Sequence, residues 1–224
     1  MESRSFDLSK VNTVLFDLDG TLVDTNGLIA DTWRYTAKMM NGRDFTDKEI
    51  RETLGEPLWD SMRRIFPDAD PEIAIEIYRT YQRERLLERI EPFEGVEETL
   101  RFLSESGYKM GIVTSRMRNS TERILEHLGL GGFFGEVLTA SDTEIFKPDP
   151  APIHSMLDML GSVPEETIYI GDTAHDILCG LAAGVFTVLV DWSYALPPEA
   201  RAGVPTPDAV IGKMSDLLVL LAGD

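Results

Sequence analysis

In the stretch VLFDLDGTLVDT, Val14 to Thr25, an apolar run stops at two carboxylates, Asp17 and Asp19, with one residue between them. They sit at strand spacing, Gly20 then allows a tight turn, and the Thr21 hydroxyl can bond back to the backbone. A D-x-D pair alone is ordinary, because carboxylates at strand ends often cap turns or face water. Three more segments extend it: Thr114 in IVTSR, Lys147 in FKPDP, and Asp172 with Asp176 in YIGDTAHD. Ligands of an open parallel sheet bind just beyond the carboxyl ends of its strands. Asp17, Thr114 and Asp172 each end an apolar run, so three segments would bring polar groups to one rim. Such a set suits phosphoryl transfer, in which positioning and charge neutralisation carry most of the catalysis.

The elements that must position these residues are short β-branched runs, each followed by a helix-like segment: NTVLFD, YKMGIVTS, EVLTA, TIYIGD, FTVLVD and DAVIG. Near-continuous apolar strands alternating with helices indicate a parallel sheet covered on both faces, an α/β, Rossmann-like doubly wound core. The interval from about Asn26 to Glu91 breaks this rhythm with helical patterning throughout. Its first segment stops at Gly42, TDKEIRETLG runs from a Thr46 cap to Gly55, and a third segment starts at Pro71. A crossover needs one helix, and about 65 residues is far more than that. The expected organisation is a core of residues 1–23 with 93–224 and an inserted α-helical cap of residues 24–92. After it, helices should stop at Gly107 and Gly129.

Composition narrows the function classes. The 224 residues carry 21 Lys and Arg against 39 Asp and Glu, a formal charge of −18. That charge favours solubility and repels a nucleic-acid backbone, so no nucleic-acid partner is expected. An acidic protein acting on an anion needs local cationic help from a metal, Lys or Arg. Cys179 is the single cysteine, which excludes an intramolecular disulfide and a four-thiolate metal site. The N-terminal MESRSFDLSK has no apolar signal region and no run approaches a membrane span, so a cytoplasmic protein without membrane association is expected.

The string DLDGT after an apolar strand, followed in order by Thr114, Lys147 and the G-D-x(3)-D of Asp172 and Asp176, resembles the haloacid dehalogenase superfamily, whose members are mostly phosphatases. The resemblance covers nearly the whole chain. It implies that Asp17 attacks phosphorus and becomes an aspartyl-phosphate. Asp19 would protonate the departing oxygen and later take a proton from the hydrolytic water. Asp17, Asp172 and a phosphate dianion need counter-charge, and Mg²⁺ prefers such oxygen ligands. In the family pattern the metal is held by the Asp17 and Asp172 side chains and the Asp19 carbonyl, with Asp176 acting through water or a ligand. Thr114 and Lys147 would hold the phosphoryl oxygens and stabilise transition-state charge.

The position of the helical insertion implies a cap that excludes water and selects substrate. LGEPLW, Leu54 to Trp59, resembles the cap loop of the phosphoglycolate-phosphatase-like branch, or else is a plain Gly-x-Pro helix junction. The motifs TVLFDLDGTLVDTN and GDTAHDILCG are similar to those of phosphoglycolate phosphatases and bacterial pyrophosphatases of this fold. Glu56 in that loop would repel a doubly anionic substrate unless it points away. Ser115 and Arg116 are further substrate-binding candidates. Arg116 can reach a second anionic part of the substrate or can be a solvated residue at a helix start.

His175 is read as structural, His127 and His154 as surface residues, and Cys179 as inert packing. The implied activity is Mg²⁺-dependent hydrolysis of a small phosphorylated metabolite by a monomer or homodimer. The alternatives are a sugar phosphomutase, against which Thr21 tilts, and a non-catalytic phosphate-binding interaction protein, against which Asp17 and Asp19 tilt.

Overall fold

The computed structural model describes residues 6–223. Strand β1 (Thr13–Phe16) leads to the two-residue β2 (Val23–Asp24) and then to four helices, α1 (Asn26–Asn41), α2 (Asp47–Arg51), α3 (Leu58–Ile65) and α4 (Pro71–Arg85). The chain returns through β3 (Glu91–Pro92), antiparallel to β2. Helices and strands then alternate: α5 (Val96–Glu105), β4 (Lys109–Val113), α6 (Arg118–His127), β5 (Glu136–Leu138), α7 (Ala151–Leu160), β6 (Thr167–Gly171), α8 (Ala174–Ala183) and β7 (Phe186–Val190). Strand β8 (Ala209–Ile211) and helix α9 (Asp216–Ala222) follow.

All six apolar runs pair in one parallel sheet of order β5-β4-β1-β6-β7-β8. Every residue of β1, β6 and β7 is buried, which is why these strands read as unbroken apolar runs rather than as alternation. From β1 the chain builds outward to β5 on one side and, from β6, to β8 on the other. The rim beyond β1, β4 and β6 is therefore the topological switch point. Within β1, Val14 and Phe16 pack into the cluster that includes α5, α6 and α9, while Leu15 joins α7 and α8 on the opposite face.

Helices α1 to α4 have a hydrophobic cluster of their own, centred on Trp33, which stacks on Phe45 and meets Tyr78 edge-on at centroid distances of 5.5 and 5.1 Å. Local signals set their ends. Gly42, at φ 73°, stops α1, a reciprocal Thr46–Glu49 capping box starts α2, and Asp70 caps α4 with Pro71 in its first turn. Helix α2 ends at Arg51, short of Gly55, and the turns that follow carry the chain to Pro57. Helix α3 starts behind Pro57, in keeping with the Gly-x-Pro junction reading of LGEPLW, whereas the β2–β3 ribbon was not legible beforehand, because two-residue strands show no periodicity. Among the described residues no helix is long and apolar enough to cross a membrane.

Candidate active site

The rim residues arrive through the sheet ladders. The Asp17 amide donates to the Ile170 carbonyl (2.8 Å) and the Thr114 amide to the Leu138 carbonyl (3.0 Å), so both positions continue their strands by one residue. Asp172 follows β6 directly. Gly20 turns the chain at φ 78° immediately against Asp172, where a Cβ would lie 2.4 Å from Oδ2. No side chain fits there, which explains why glycine follows the second carboxylate.

Lys147 brings a buried cation to the rim. Its Nζ donates to Asp17 Oδ1 (2.6 Å), Asp176 Oδ1 (2.7 Å) and the Tyr169 hydroxyl (3.1 Å), with its side chain 4 % exposed. Burial works against its charge, but Asp17 and Asp176 hold its pKa above the usual lysine value. Asp17 is pushed up to about 7, by burial first and by the Asp176 charge, with Lys147 pulling the other way. Asp176 behaves oppositely: burial raises it, yet Lys147, Thr173 and Tyr169 hold it below the ordinary carboxylate value. Both its oxygens are committed, Oδ1 to Lys147 and Tyr169, and Oδ2 to the Thr173 amide (2.9 Å) and hydroxyl (2.6 Å) in the capping box of α8. Tyr169 was not foreseen. Its only signal is a hydroxyl-bearing ring inside a fully buried strand, where such a group needs a partner.

Asp17, Asp172 and Asp176 bring one carboxylate oxygen each to within 4.8 Å of one another. Among the described residues Asp172 Oδ1, which is buried, has no hydrogen-bond partner, and burial with the Asp176 and Asp17 charges pushes the Asp172 pKa well up. An orphaned buried acid oxygen beside two further carboxylates fits a hard divalent cation. Of the three, Asp176 already has both oxygens engaged by Lys147, Tyr169 and Thr173, whereas Asp17 and Asp172 could each still offer an oxygen to such a cation.

Asp19 is held differently. Its two oxygens accept from Arg116 Nε (2.7 Å) and Nη2 (2.8 Å), and Oδ1 also accepts from the Thr25 hydroxyl (2.6 Å). Arg116 is thus not a solvated residue at a helix start. Its side chain is 6 % exposed, and although burial opposes its charge, Asp19 raises its pKa. Its third nitrogen, Nη1, reaches Gln82 Oε1 of α4 at 3.3 Å. Gln82, 34 residues from Arg116, and Thr25, six from Asp19, were missed by sequence reasoning: nothing in an amphipathic helix marks so distant a partner, and a threonine at a strand exit reads as ordinary turn chemistry. The Thr114 hydroxyl accepts from the Arg116 amide (3.2 Å), and Ser115 lies half-buried beside it.

The sheet rim and the helical insertion enclose a cavity of about 830 Å³, lined by Asp17, Asp19, Ser115, Arg116, Lys147 and Asp172 on one side and by Leu54 to Trp59 and α4 on the other. The loop comes close: a Cβ at Gly55, φ 84°, would lie 2.7 Å from His175 Nδ1 and 3.0 Å from Thr173 Oγ1. Glu56 does not present a bare charge. It accepts from Ser61 Oγ (2.6 Å) and Arg64 Nη2 (2.7 Å) on α3, which outweigh burial and keep its pKa below the usual value. His175 is half-buried, and burial lowers its pKa. His127 and His154 are exposed, as expected.

Comparisons with known proteins point one way. The model of the haloacid dehalogenase-like hydrolase family matches residues 14–190. The chain is 39 % identical over 209 residues to a protein of Halalkalibacterium halodurans named pyrophosphatase PpaX, covering 93 % of this chain and 96 % of that one. Among solved structures it resembles a haloacid dehalogenase-like family hydrolase from Streptococcus pneumoniae, with a TM-score of 0.83, 26 % identity, and 95 % and 99 % of the two chains covered. It also shares the fold of a predicted phosphoglycolate phosphatase from Haemophilus somnus, with a TM-score of 0.82, 23 % identity, and coverage of 94 % and 98 %.

Proposed function

Because the chain belongs to the haloacid dehalogenase-like hydrolases, we propose that it is a Mg²⁺-dependent phosphatase of a small phosphorylated metabolite, either pyrophosphate or a phosphoglycolate-like monoester. Hydrolysis of a phosphate ester or anhydride bond is the activity its family and relatives carry. The observation that supports the finer reading is the placement of one buried lysine against Asp17, with the unpartnered Asp172 carboxylate oxygen beside it.

In this reading an Asp17 oxygen attacks phosphorus, the bond from phosphorus to the leaving oxygen breaks, and Asp19 gives that oxygen its proton. Water then attacks the aspartyl-phosphate, Asp19 takes the proton of the water, and the bond between phosphorus and Asp17 breaks to return the carboxylate. Lys147 and the Thr114 hydroxyl hold the equatorial oxygens, Ser115 and Arg116 the rest of the substrate, and Asp176 with Tyr169 keeps Lys147 in place. Mg²⁺ held by Asp17, Asp172 and the Asp19 carbonyl would neutralise the charge that accumulates between substrate and carboxylates.

Residues 24–92 form the cap in this reading and residues 1–23 with 93–224 the core. Residues 1–5 and 224 lie outside those described. A cytoplasmic protein acting alone or as a homodimer fits the same picture. Phosphate release from p-nitrophenyl phosphate, with Mg²⁺ and with EDTA, tests it. Turnover that needs the metal is expected, and its absence would refute the assignment.

A further inference from the structure

The guanidinium of Arg116 can serve two anions, and in this structure it serves Asp19. Two of its nitrogens bond the two carboxylate oxygens, and Thr25 takes a further position on Oδ1. A carboxylate offers about four acceptor positions, and three are used here, both oxygens being engaged. An Asp19 oxygen turned towards Arg116 is not free to meet the leaving oxygen of a substrate. Arg116 cannot simply let go either, because a side chain only 6 % exposed keeps its charge at high cost unless another anion replaces Asp19.

We propose that Arg116 is a substrate-operated clamp on Asp19, passed from the carboxylate to a second anionic group of the substrate so that Asp19 is freed for the leaving oxygen. The inference rests on the roles given above to Asp17 and Asp19. Guanidinium forks bind carboxylate and phosphate with the same two-pronged geometry, so the hand-over replaces one charge-assisted pair with another. Arg116 lines the cavity beside Lys147 and Asp17, and its Nη1 is already turned to Gln82 on the helical wall. A substrate that brings only the phosphoryl group being transferred has nothing to exchange. The clamp therefore selects for substrates with two anionic groups, such as a diphosphate or a carboxylated phosphomonoester.

Methylenediphosphonate, with two anionic groups, and methylphosphonate, with one, probe this without turnover. Their inhibition constants are measured in excess Mg²⁺ for the wild type, Arg116→Lys and Arg116→Gln. The wild type is expected to prefer the diphosphonate by about tenfold or more, with the preference reduced in Arg116→Lys and lost in Arg116→Gln. In kcat/KM, Arg116→Gln should lose about tenfold more on pyrophosphate than on p-nitrophenyl phosphate.

Crystal structures of the wild type with each phosphonate serve if the variants do not fold: Arg116 should leave Asp19 only in the diphosphonate complex. Arg116 still seated on Asp19 in both complexes overturns the proposal. So does a preference that survives in Arg116→Gln but disappears in Arg79→Gln or Arg123→Gln, two other arginines lining the cavity. Failure of the underlying reading looks different, as undiminished turnover in Asp17→Asn.

Discussion

Lys147 Nζ lies 2.6 Å from Asp17 Oδ1 and 2.7 Å from Asp176 Oδ1, so one buried cation is shared by a candidate nucleophile and the carboxylate that closes the capping box of helix α8. Lys147→Met should remove transition-state stabilisation and leave two buried carboxylates facing each other. The expected losses are about 10²- to 10³-fold in kcat and about 3–5 kcal/mol in stability. Steady-state kinetics and urea unfolding measure the two. An unchanged kcat would detach Lys147 from the chemistry.

The raised Asp17 and Asp172 pKa values fix the sign of a pH effect. A group whose pKa is higher in the folded than in the unfolded protein adds stability below the unfolded value, and that stability is lost as pH rises through the folded one. For Asp17 the window runs from 3.8 to about 7, and Asp172 acts in the same direction. Asp176, lowered by Lys147 in spite of its burial, acts oppositely, losing its contribution only as pH falls below the ordinary carboxylate value of 3.8. In EDTA the melting temperature should therefore fall between about pH 4 and about pH 7. Mg²⁺ should recover more of it at the upper end than at the lower. Calorimetry across that range checks both slopes, and a melting temperature that climbs with pH in EDTA would contradict the electrostatics described here.

Gly20→Ala should injure the metal site specifically. Its Cβ would lie 2.4 Å from Asp172 Oδ2 on a backbone at φ 78°, so Asp172 must move. The strained backbone costs about 1–3 kcal/mol, and the Mg²⁺ concentration for half-maximal activity should rise about tenfold or more. Metal titration of activity reads the second effect independently of the first.

Cys179 should be silent. Burial pushes its thiol up to about 12, and Sγ donates to the Asp149 carbonyl at 3.0 Å. Iodoacetamide at neutral pH is expected to leave the folded protein unlabelled and fully active, as measured by intact mass and phosphate release. Rapid labelling with loss of activity would show that the α8 face opens.

Much of the frame could be read from residue types. The six strands, the stop at Gly42, the Thr46 cap and the helix start at Pro71 follow from local chemistry, and the carboxylates at the ends of β1 and β6 follow from strand direction. The partners of those carboxylates were not readable. Arg116 stands 97 residues from Asp19 and Lys147 stands 130 from Asp17, so no local signal separates them from solvated side chains. Arg116 was open between a substrate contact and a solvated helix start, and its burial on Asp19 excludes the second.

The sequence by itself determined the α/β alternation, the site of the helical insertion and the order of the polar groups along the rim, because burial pattern, turn chemistry and strand polarity act over a few residues. Only the tertiary structure decided how the charges are shared: Lys147 between Asp17 and Asp176, Arg116 on Asp19, and Asp172 with a buried oxygen left unpartnered. Those outcomes depend on distances of a few ångströms between segments far apart in the chain. They are set by how the sheet, α8 and the helical insertion pack, where a buried charge must find an anion, a cation or a metal.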